Sequence, residues 1–187
     1  GYQNNPELIH KFYNLRREQL KEVTPNMAHK ALAKLEGDPR YHLSIITQNV
    51  DDLHERAGAQ NVIHMHGELR KIKNMETDEV KYFEDSVEAR DYKVWRPDIV
   101  WFGESIKFSS EIEICLNKAD IFLCIGTSNQ VYPAAGFVSQ VKQRKIPCVE
   151  LNYEETSLSN YYDRTIIGKA TQIVPKFIED EFGVEID

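Results

Sequence analysis

Hydrophobic positions along this chain follow two rhythms, stripes spaced three and four residues apart and short β-branched runs bounded by polar turns. The first stripe, Leu8, Phe12, Leu15 and Leu20, predicts a helix from Asn5 to about Lys21. Asn5 can cap it, Pro6 suits its first position, and Glu7 favours the positive end of the macrodipole. The second stripe, Met27, Ala28, Ala31, Leu32 and Leu35, predicts a helix capped by Thr24, with Pro25 inside it and Gly37 ending it. Leu43–Thr47 is nearly all apolar, as for a buried parallel strand. A helical stretch Asp51–Ala57 closed by Gly58 follows, then a short strand Val62–His66. From about Arg70 to Lys93 the chain turns to Lys, Glu and Asp, which reads as an excursion from the main domain. The core pattern returns at Ile99–Phe102. It continues through a helix Ser109–Lys118, a strand Ile121–Ile125, a helix Ala134–Arg144 and a strand Cys148–Leu151. A strand near Ile173–Val174 and a helix from Pro175 to about Glu181 complete it. Alternating strands and helices mean βαβ units, so the predicted fold is α/β: a doubly wound parallel sheet with helices on both faces.

Composition narrows the choice of partners. At 187 residues there is room for one domain with a small insertion. The 23 Lys+Arg against 30 Asp+Glu leave a net charge of −7, which argues against a general nucleic-acid or anionic-membrane binder. No apolar run approaches the ~20 residues of a membrane span. Cys115, Cys124 and Cys148 form no C-x-x-C pair, which excludes both a disulfide framework and a four-cysteine zinc site. Without a secretory pattern, a reduced, cytoplasmic setting is expected. The opening at Gly1, without Met, reads as the start of something less than a whole gene product.

Ligands of open α/β sheets bind outside the carboxyl ends of the strands. Three strand ends carry polar clusters: Gln48-Asn49-Val50-Asp51-Asp52, Gly126-Thr127-Ser128-Asn129 and Asn152-Tyr153-Glu154-Glu155. The Gly126 cluster reads either as a turn whose N–H groups and hydroxyls hold phosphate or ribose, or as an ordinary capped loop. His64 and His66 alternate at strand spacing and would face one way. A metal would need a third ligand, which the neighbouring sequence does not offer. They read instead as packed and solvated imidazoles, or as a general base followed by Gly67. Tyr13 and Arg16 share a helix face, with Arg17 a rival. An arginine beside a phenol can hold a carboxylate, or can simply be solvated.

Together these fragments resemble the sirtuins, NAD-dependent protein deacylases. The resemblance rests on Thr47-Gln48-Asn49-Val50-Asp51-Asp52-Leu53-His54 with Ala57-Gly58, and on His64-Met65-His66-Gly67-Glu68. Further blocks are Arg96-Pro97-Asp98-Ile99-Val100-Trp101-Phe102-Gly103-Glu104, and Gly126-Thr127-Ser128 with Val131-Tyr132-Pro133-Ala134-Ala135. The blocks stand in family order and span nearly the whole chain. The resemblance implies a Rossmann-like NAD-binding domain over 37–69 and 96–187. It also implies a helical segment over 1–36 belonging to a small domain, and an insertion over 70–95 in place of the family's zinc module. By the same likeness Gln48, Asn49, Val50 and Asp51 line the nicotinamide-ribose pocket. Gly126, Thr127, Ser128, Asn152, Tyr153 and Glu154 hold the adenosine half, and Ala170 lies by the adenine. His66 matches the catalytic base, while Val100, Phe102, Gly103 and Glu104 lie in the segment that pairs with substrate backbone.

Tyr13-Asn14-Leu15-Arg16 resembles the Tyr-x-x-Arg pair with which class III sirtuins read succinyl- or malonyl-lysine. That points to acyl-lysine peptides as partners, with acetyl-lysine also a candidate and oligomeric state open. Protein ADP-ribosyl transfer, and an inactive module that only binds NAD or acyl-lysine, are the alternatives. Two departures stand out. Leu69–Trp95 contains no cysteine, so no metal is expected and the insertion must be held by packing of Tyr82, Phe83, Tyr92, Val94 and Trp95. The family's glycine loop and its Arg-containing cofactor loop, which precede the first helix, have no counterpart here. Gly1-Tyr2 resembles the point where they end, and a chain without them is expected to bind NAD poorly.

Overall fold

The computed structural model describes residues 5–186, so the expectation resting on Gly1-Tyr2 lies outside the described residues. The chain forms two compact units. One comprises the chain as far as Thr24, Ile46–Leu53 and His64–Phe108; the other comprises Pro25–Ile45, His54–Ile63 and the chain from Ser109 onward. The sequence-based boundaries at 36/37, 69/70 and 95/96 differ from these. The second helix, expected with the first, packs instead on the last helix of the other unit.

In the first unit, helix α1 (Pro6–Glu22) starts as expected, with Asn5 Oδ1 accepting from the Leu8 amide at 3.0 Å. Its buried face shares only Leu20 with the predicted apolar stripe. His10, Arg17 and Leu20 are buried, whereas Leu8 and Phe12 are exposed and Leu15 is 65% exposed. Polar pairing chose this face: Arg17 Nε donates to the Leu69 carbonyl at 2.8 Å, and the His10 ring stacks on Tyr92 at 4.3 Å. The excursion is an antiparallel sheet of β3 (Gly67–Asn74), β4 (Val80–Tyr82) and β5 (Trp95–Ile99), in the order β4-β3-β5. Leu69, Ile72 and Val87 are buried within this unit, and Lys81 lies 3.9 Å from the Trp95 ring centre. Of the aromatic and apolar residues expected to hold it, Phe83, Tyr92 and Trp95 are half-buried, but Tyr82 and Val94 are exposed.

In the second unit, β6 (Phe122–Ile125), β7 (Cys148–Asn152) and β8 (Arg164–Ile167) form a parallel sheet with β7 central. Val149 and Leu151 belong to a core built with helices α2 (Met27–Gly37) and α6 (Ala170–Phe182). Helix α5 (Phe137–Lys142) packs on β7 and on α4 (Ser109–Lys118). This is the expected Rossmann-like α/β pattern. A separate pair, β1 (Ile45–Thr47) with β2 (Val62–His64), is shorter than the predicted strands. Helix α3 (Leu53–Arg56) lies between them in the chain.

Three local expectations give way. The cap of α2 is Asn26 rather than Thr24: its side chain accepts from the Ala28 and His29 amides, while His29 Nδ1 accepts from the Asn26 amide at 3.1 Å. The last strand is Arg164–Ile167, and Ile173–Val174 are helical. Val174, Phe177 and Ile178 face the core at helical spacing, and that burial outweighs the one backbone bond Pro175 removes. The predicted helix Ala134–Arg144 opens with a 3-10 turn, Ala134–Gly136.

Burial rather than hydrophobic spacing therefore decides which side chains stabilise this fold. Ile178→Ala is expected to cost about 2–5 kcal/mol in urea unfolding, and Leu15→Ala less than about 0.5 kcal/mol.

Candidate active site

The candidate residues fall into two sets, one in each unit. In the first unit the chain leaves β1 at Thr47, whose Oγ1 accepts from the Asn49 amide at 3.1 Å and turns the loop. Asp51 Oδ1 then accepts from the Leu53 amide at 3.1 Å, at the start of α3. The carbonyls of Gln48 and Asn49 each meet an imidazole: His66 Nδ1 lies 3.2 Å from Gln48 O and His64 Nδ1 3.2 Å from Asn49 O. A carbonyl only accepts, so both Nδ1 atoms carry protons. In the neutral ring of His66 the lone pair is then on Nε2. His64 is buried and His66 half-buried.

These two histidines are not alternating members of one strand, as the sequence reading has them. β2 ends at His64, and Met65-His66 is the turn into β3. The turn is pinned on several sides. Met65 N donates to Thr47 O at 3.1 Å, Lys107 N to Met65 O at 3.0 Å, and Val100 N to His66 O at 2.9 Å. Gly67 has φ +86, and a Cβ there would lie 1.9 Å from the Asp98 carbonyl oxygen. Only glycine allows β5 to close against the residue that follows His66. Lys107 Nζ reaches the buried Asp98 carboxylate at 2.6 Å, fixing β5 from below the turn.

Strand β5 stops at Ile99, and Val100–Glu104 is a turn closed by Glu104 N donating to Trp101 O at 2.9 Å. Phe102 at its tip is completely exposed (102%). Arg96 holds the turn with a two-pronged fork onto Glu104, Nη1 to Oε1 at 2.7 Å and Nη2 to Oε2 at 2.8 Å. Glu104 Oε2 also accepts from the Trp101 amide at 3.1 Å. The Arg96 bonds hold the Glu104 carboxyl below its ordinary value.

On α1 the rival arginines separate. Arg17 is 1% exposed, and its Nη1 donates to Asn14 Oδ1 at 3.0 Å. Burial pulls it down to about 10, still a cation at neutral pH. Asn14 exchanges a reciprocal pair of 3.0 Å bonds with the Val87 backbone. Rotation of α1 about its axis is thereby locked. Arg16 is left exposed over the Phe12 ring at 5.7 Å, with the half-buried Tyr13 three residues earlier. Burial raises the Tyr13 phenol above its usual value, opposed by the neighbouring Arg16.

In the second unit, Gly126 follows β6 with φ +62, and nothing lies within 4 Å of where a Cβ would be. Ser128 is exposed, and Thr127 Oγ1 accepts from the Asn129 amide at 3.3 Å. Asn152 Nδ2 donates to Thr127 O at 2.7 Å, tying the end of β7 to the Gly126 loop. Tyr153 and Glu154 are exposed, and Ala170, half-buried, begins α6. The sequence reading placed Asn129 in the polar cluster after β6 without giving it a role and missed Glu150; both are buried and bonded to each other at 2.8 Å. A glutamate inside the apolar run Cys148–Leu151 was the available signal. Among the described residues, no group of three or more His, Cys, Asp or Glu side chains is placed to hold a metal ion. No helix among them is long and apolar enough to cross a membrane.

Because the folded-state pKa of Glu104 is depressed, the hold of the Arg96 fork is complete above the ordinary carboxylate value and is lost as pH falls through the lowered one. Hydrogen exchange at the Trp101 amide, taken relative to an unstructured peptide at the same pH, is expected to stay slow at neutral pH and to rise once acid protonates the Glu104 carboxyl. Glu104→Ala should raise it about tenfold at neutral pH, while global stability changes by less than about 1 kcal/mol.

Known proteins resemble this chain in both sequence and fold. The model of the Sir2 family matches residues 1–133. An NAD-dependent protein deacylase of Escherichia coli is 45% identical over 188 residues, covering 96% of this chain and 69% of that protein. One from Pasteurella multocida is 42% identical over 187 residues, covering 95% and 80%. The crystal structure of a Sir2 homologue in complex with NAD superposes with a TM-score of 0.87 at 34% identity, covering 96% of this chain and 73% of that one. Sir2 bound to the inhibitor EX-527, 2′-O-acetyl-ADP-ribose and a deacetylated p53 peptide gives 0.81 at 26% identity, covering 98% and 83%. With a family model over most of its length and relatives above 40% identity, the chain belongs to the Sir2 family.

Proposed function

We propose that this protein is an NAD-dependent protein-lysine deacylase whose preferred acyl groups end in a carboxylate, succinyl or malonyl, with acetyl as a lesser substrate. The deacylase reading is carried by His66: its Nδ1–H on the Gln48 carbonyl leaves Nε2 to accept a proton, as a general base near neutral pH must. Membership of the Sir2 family and relatives named as NAD-dependent protein deacylases support the same activity.

The residues fit NAD on their own chemistry. Open space above Gly126, the exposed Ser128 hydroxyl and the exposed Tyr153 and Glu154 suit a nucleotide's sugar and phosphate. Asn152, which already braces the Gly126 loop, and Ala170 at the start of α6 complete the set for the adenosine half. Gln48, Asn49, Val50 and Asp51 would line the nicotinamide-ribose end, on the same loop that holds His66. When bound, NAD supplies an activated ribose carbon and nicotinamide as leaving group. His66 takes a proton from a ribose hydroxyl at Nε2. Val100, Phe102, Gly103 and Glu104 receive the extended backbone of the acyl-lysine peptide, in the manner of an added strand.

Acyl choice rests on α1. Arg17 is committed to Leu69 and Asn14, so Arg16 is the cation available to a carboxylate. Tyr13 stays a protonated donor because burial raises its phenol. A charge-assisted pair of this kind recognises a succinyl or malonyl terminus and gives little to an acetyl group. Helix α1 and the turn Val100–Glu104 then serve substrate, and the loops after β6 and β7 serve the adenosine half of NAD.

Mass spectrometry of succinyl-, malonyl- and acetyl-lysine peptides incubated with NAD and the full-length protein tests both halves. Arg16→Met is expected to lower kcat/KM for succinyl-lysine about 10- to 100-fold and for acetyl-lysine less than about threefold. Equal losses on both would defeat the acyl assignment. His66→Tyr should lower turnover on every acyl group by at least about 100-fold; retained turnover would remove it as the base.

A further inference from the structure

We propose that Glu150, a carboxylate sealed inside the central strand, is the positioning residue for the loops assigned above to the adenosine half of NAD, an inference that rests on that assignment. Glu150 is 0% exposed. Its neighbours Val149 and Leu151 point into the apolar core shared with α2 and α6, so by strand alternation its side chain enters the opposite layer. In register it stands between Cys124 of β6 and Thr165 of β8.

The carboxylate accepts hydrogen bonds from four uncharged donors. Thr165 Oγ1 on the sheet donates to Oε2 at 3.3 Å. The other three donors come from loops: Asn129 Nδ2 to Oε1 at 2.8 Å, Thr156 Oγ1 to Oε1 at 3.0 Å, and Ser159 Oγ to Oε2. Asn129 closes the Gly126-Thr127-Ser128 turn; Thr156 and Ser159 belong to the loop that starts at Tyr153. One buried group thus binds both loops to the same strand.

Asn129 joins the two loops more directly. Its backbone is left-handed, φ +56, and its Nδ2 also reaches Thr156 Oγ1 at 3.0 Å. Its Oδ1 accepts from Tyr162 OH at 3.3 Å. A leucine at 150 would stabilise the sheet at least as well, because burying a carboxylate costs free energy that four neutral donors only offset. What a leucine would lack is direction: it could not fix where the backbone of either loop stands. Nucleotide hydroxyls and phosphates are read at hydrogen-bond distances, where a displacement of about an ångström removes the contact.

The test is NAD kinetics and ADP-ribose calorimetry on the full-length protein and its Glu150→Gln, Glu150→Asp and Asn129→Gly variants. Glu150→Gln puts an amide donor where one acceptor oxygen was, so the donors on that side must reverse their roles or lose their bonds; Asn129→Gly removes the loop's side chain while keeping its left-handed backbone. Both are expected to raise KM for NAD and Kd for ADP-ribose about tenfold, with kcat and KM for the acyl peptide within about twofold. Glu150→Asp, which keeps the charge, should recover part of the loss. Unchanged ADP-ribose affinity in a folded variant, or equal losses in kcat and in both KM values, would overturn the proposal. If Glu150→Gln does not fold, Asn129→Gly decides alone. Wild-type protein that consumes NAD while the variants behave normally sinks only this inference; wild-type protein that neither deacylates nor binds ADP-ribose sinks the functional assignment itself.

Discussion

Polar groups removed from water must find partners, and in this protein that requirement shapes the ends of the strands more than hydrophobic burial does. The loop after β1 turns its Gln48 and Asn49 carbonyls onto two imidazoles. The Leu69 carbonyl is met by a buried guanidinium from α1, and the Asp98 carboxylate by Lys107. Apolar contacts would bring the same elements together, but they are non-directional and leave rotation and register loose.

The antiparallel sheet of the first unit shows what such pairing achieves in a stretch with few aliphatics. Leu69, Ile72, Val87 and Ile99 supply buried apolar surface to it. The remainder is directional: Asn14 on the Val87 backbone, Arg17 on Leu69, His10 against Tyr92 and Lys81 over Trp95. Cation–π and stacked contacts contribute about 0.5–1.5 kcal/mol each, comparable with a buried hydrogen bond. The surface ion pairs of the same sheet, Lys73 with Asp78 for example, add little by comparison.

How much of this was legible in sequence depended on whether periodicity or pairing governed a segment. Helix α2, helix α4 and strands β6 and β7 answer to burial, and spacing located them within a residue or two. Helix α1 does not. Its Leu8, Phe12 and Leu15 form a good apolar stripe, yet a histidine and an arginine turn inward because their partners lie about 50 to 90 residues away, where no local pattern reaches. The tail failed for a related reason: Pro175 reads as a helix start, but buried Val174, Phe177 and Ile178 carry the helix through it. Among candidate site residues, the motif-bearing positions around Gln48, His66 and Gly126 were visible. Glu150 was not, and Asn129, visible only as a member of the Gly126 cluster, had no role assigned, since the meaning of both is the bond between them.

The same contrast explains why the two histidines, so alike in sequence, differ in what they can do. Each donates Nδ1–H to a neighbouring carbonyl of one loop, so hydrogen bonding alone does not distinguish them. Position does. His64 ends a strand and is buried, whereas His66 sits in a two-residue turn and keeps part of its ring accessible. A turn is ordinarily a loose place for a side chain that must keep one orientation. Here its backbone is fixed by Val100, Lys107 and Thr47, and Gly67 lets the next strand approach to within the space a methyl group would need. Partial exposure and a fixed backbone are therefore obtained at one residue, by placing it on a turn whose neighbours bear the constraint.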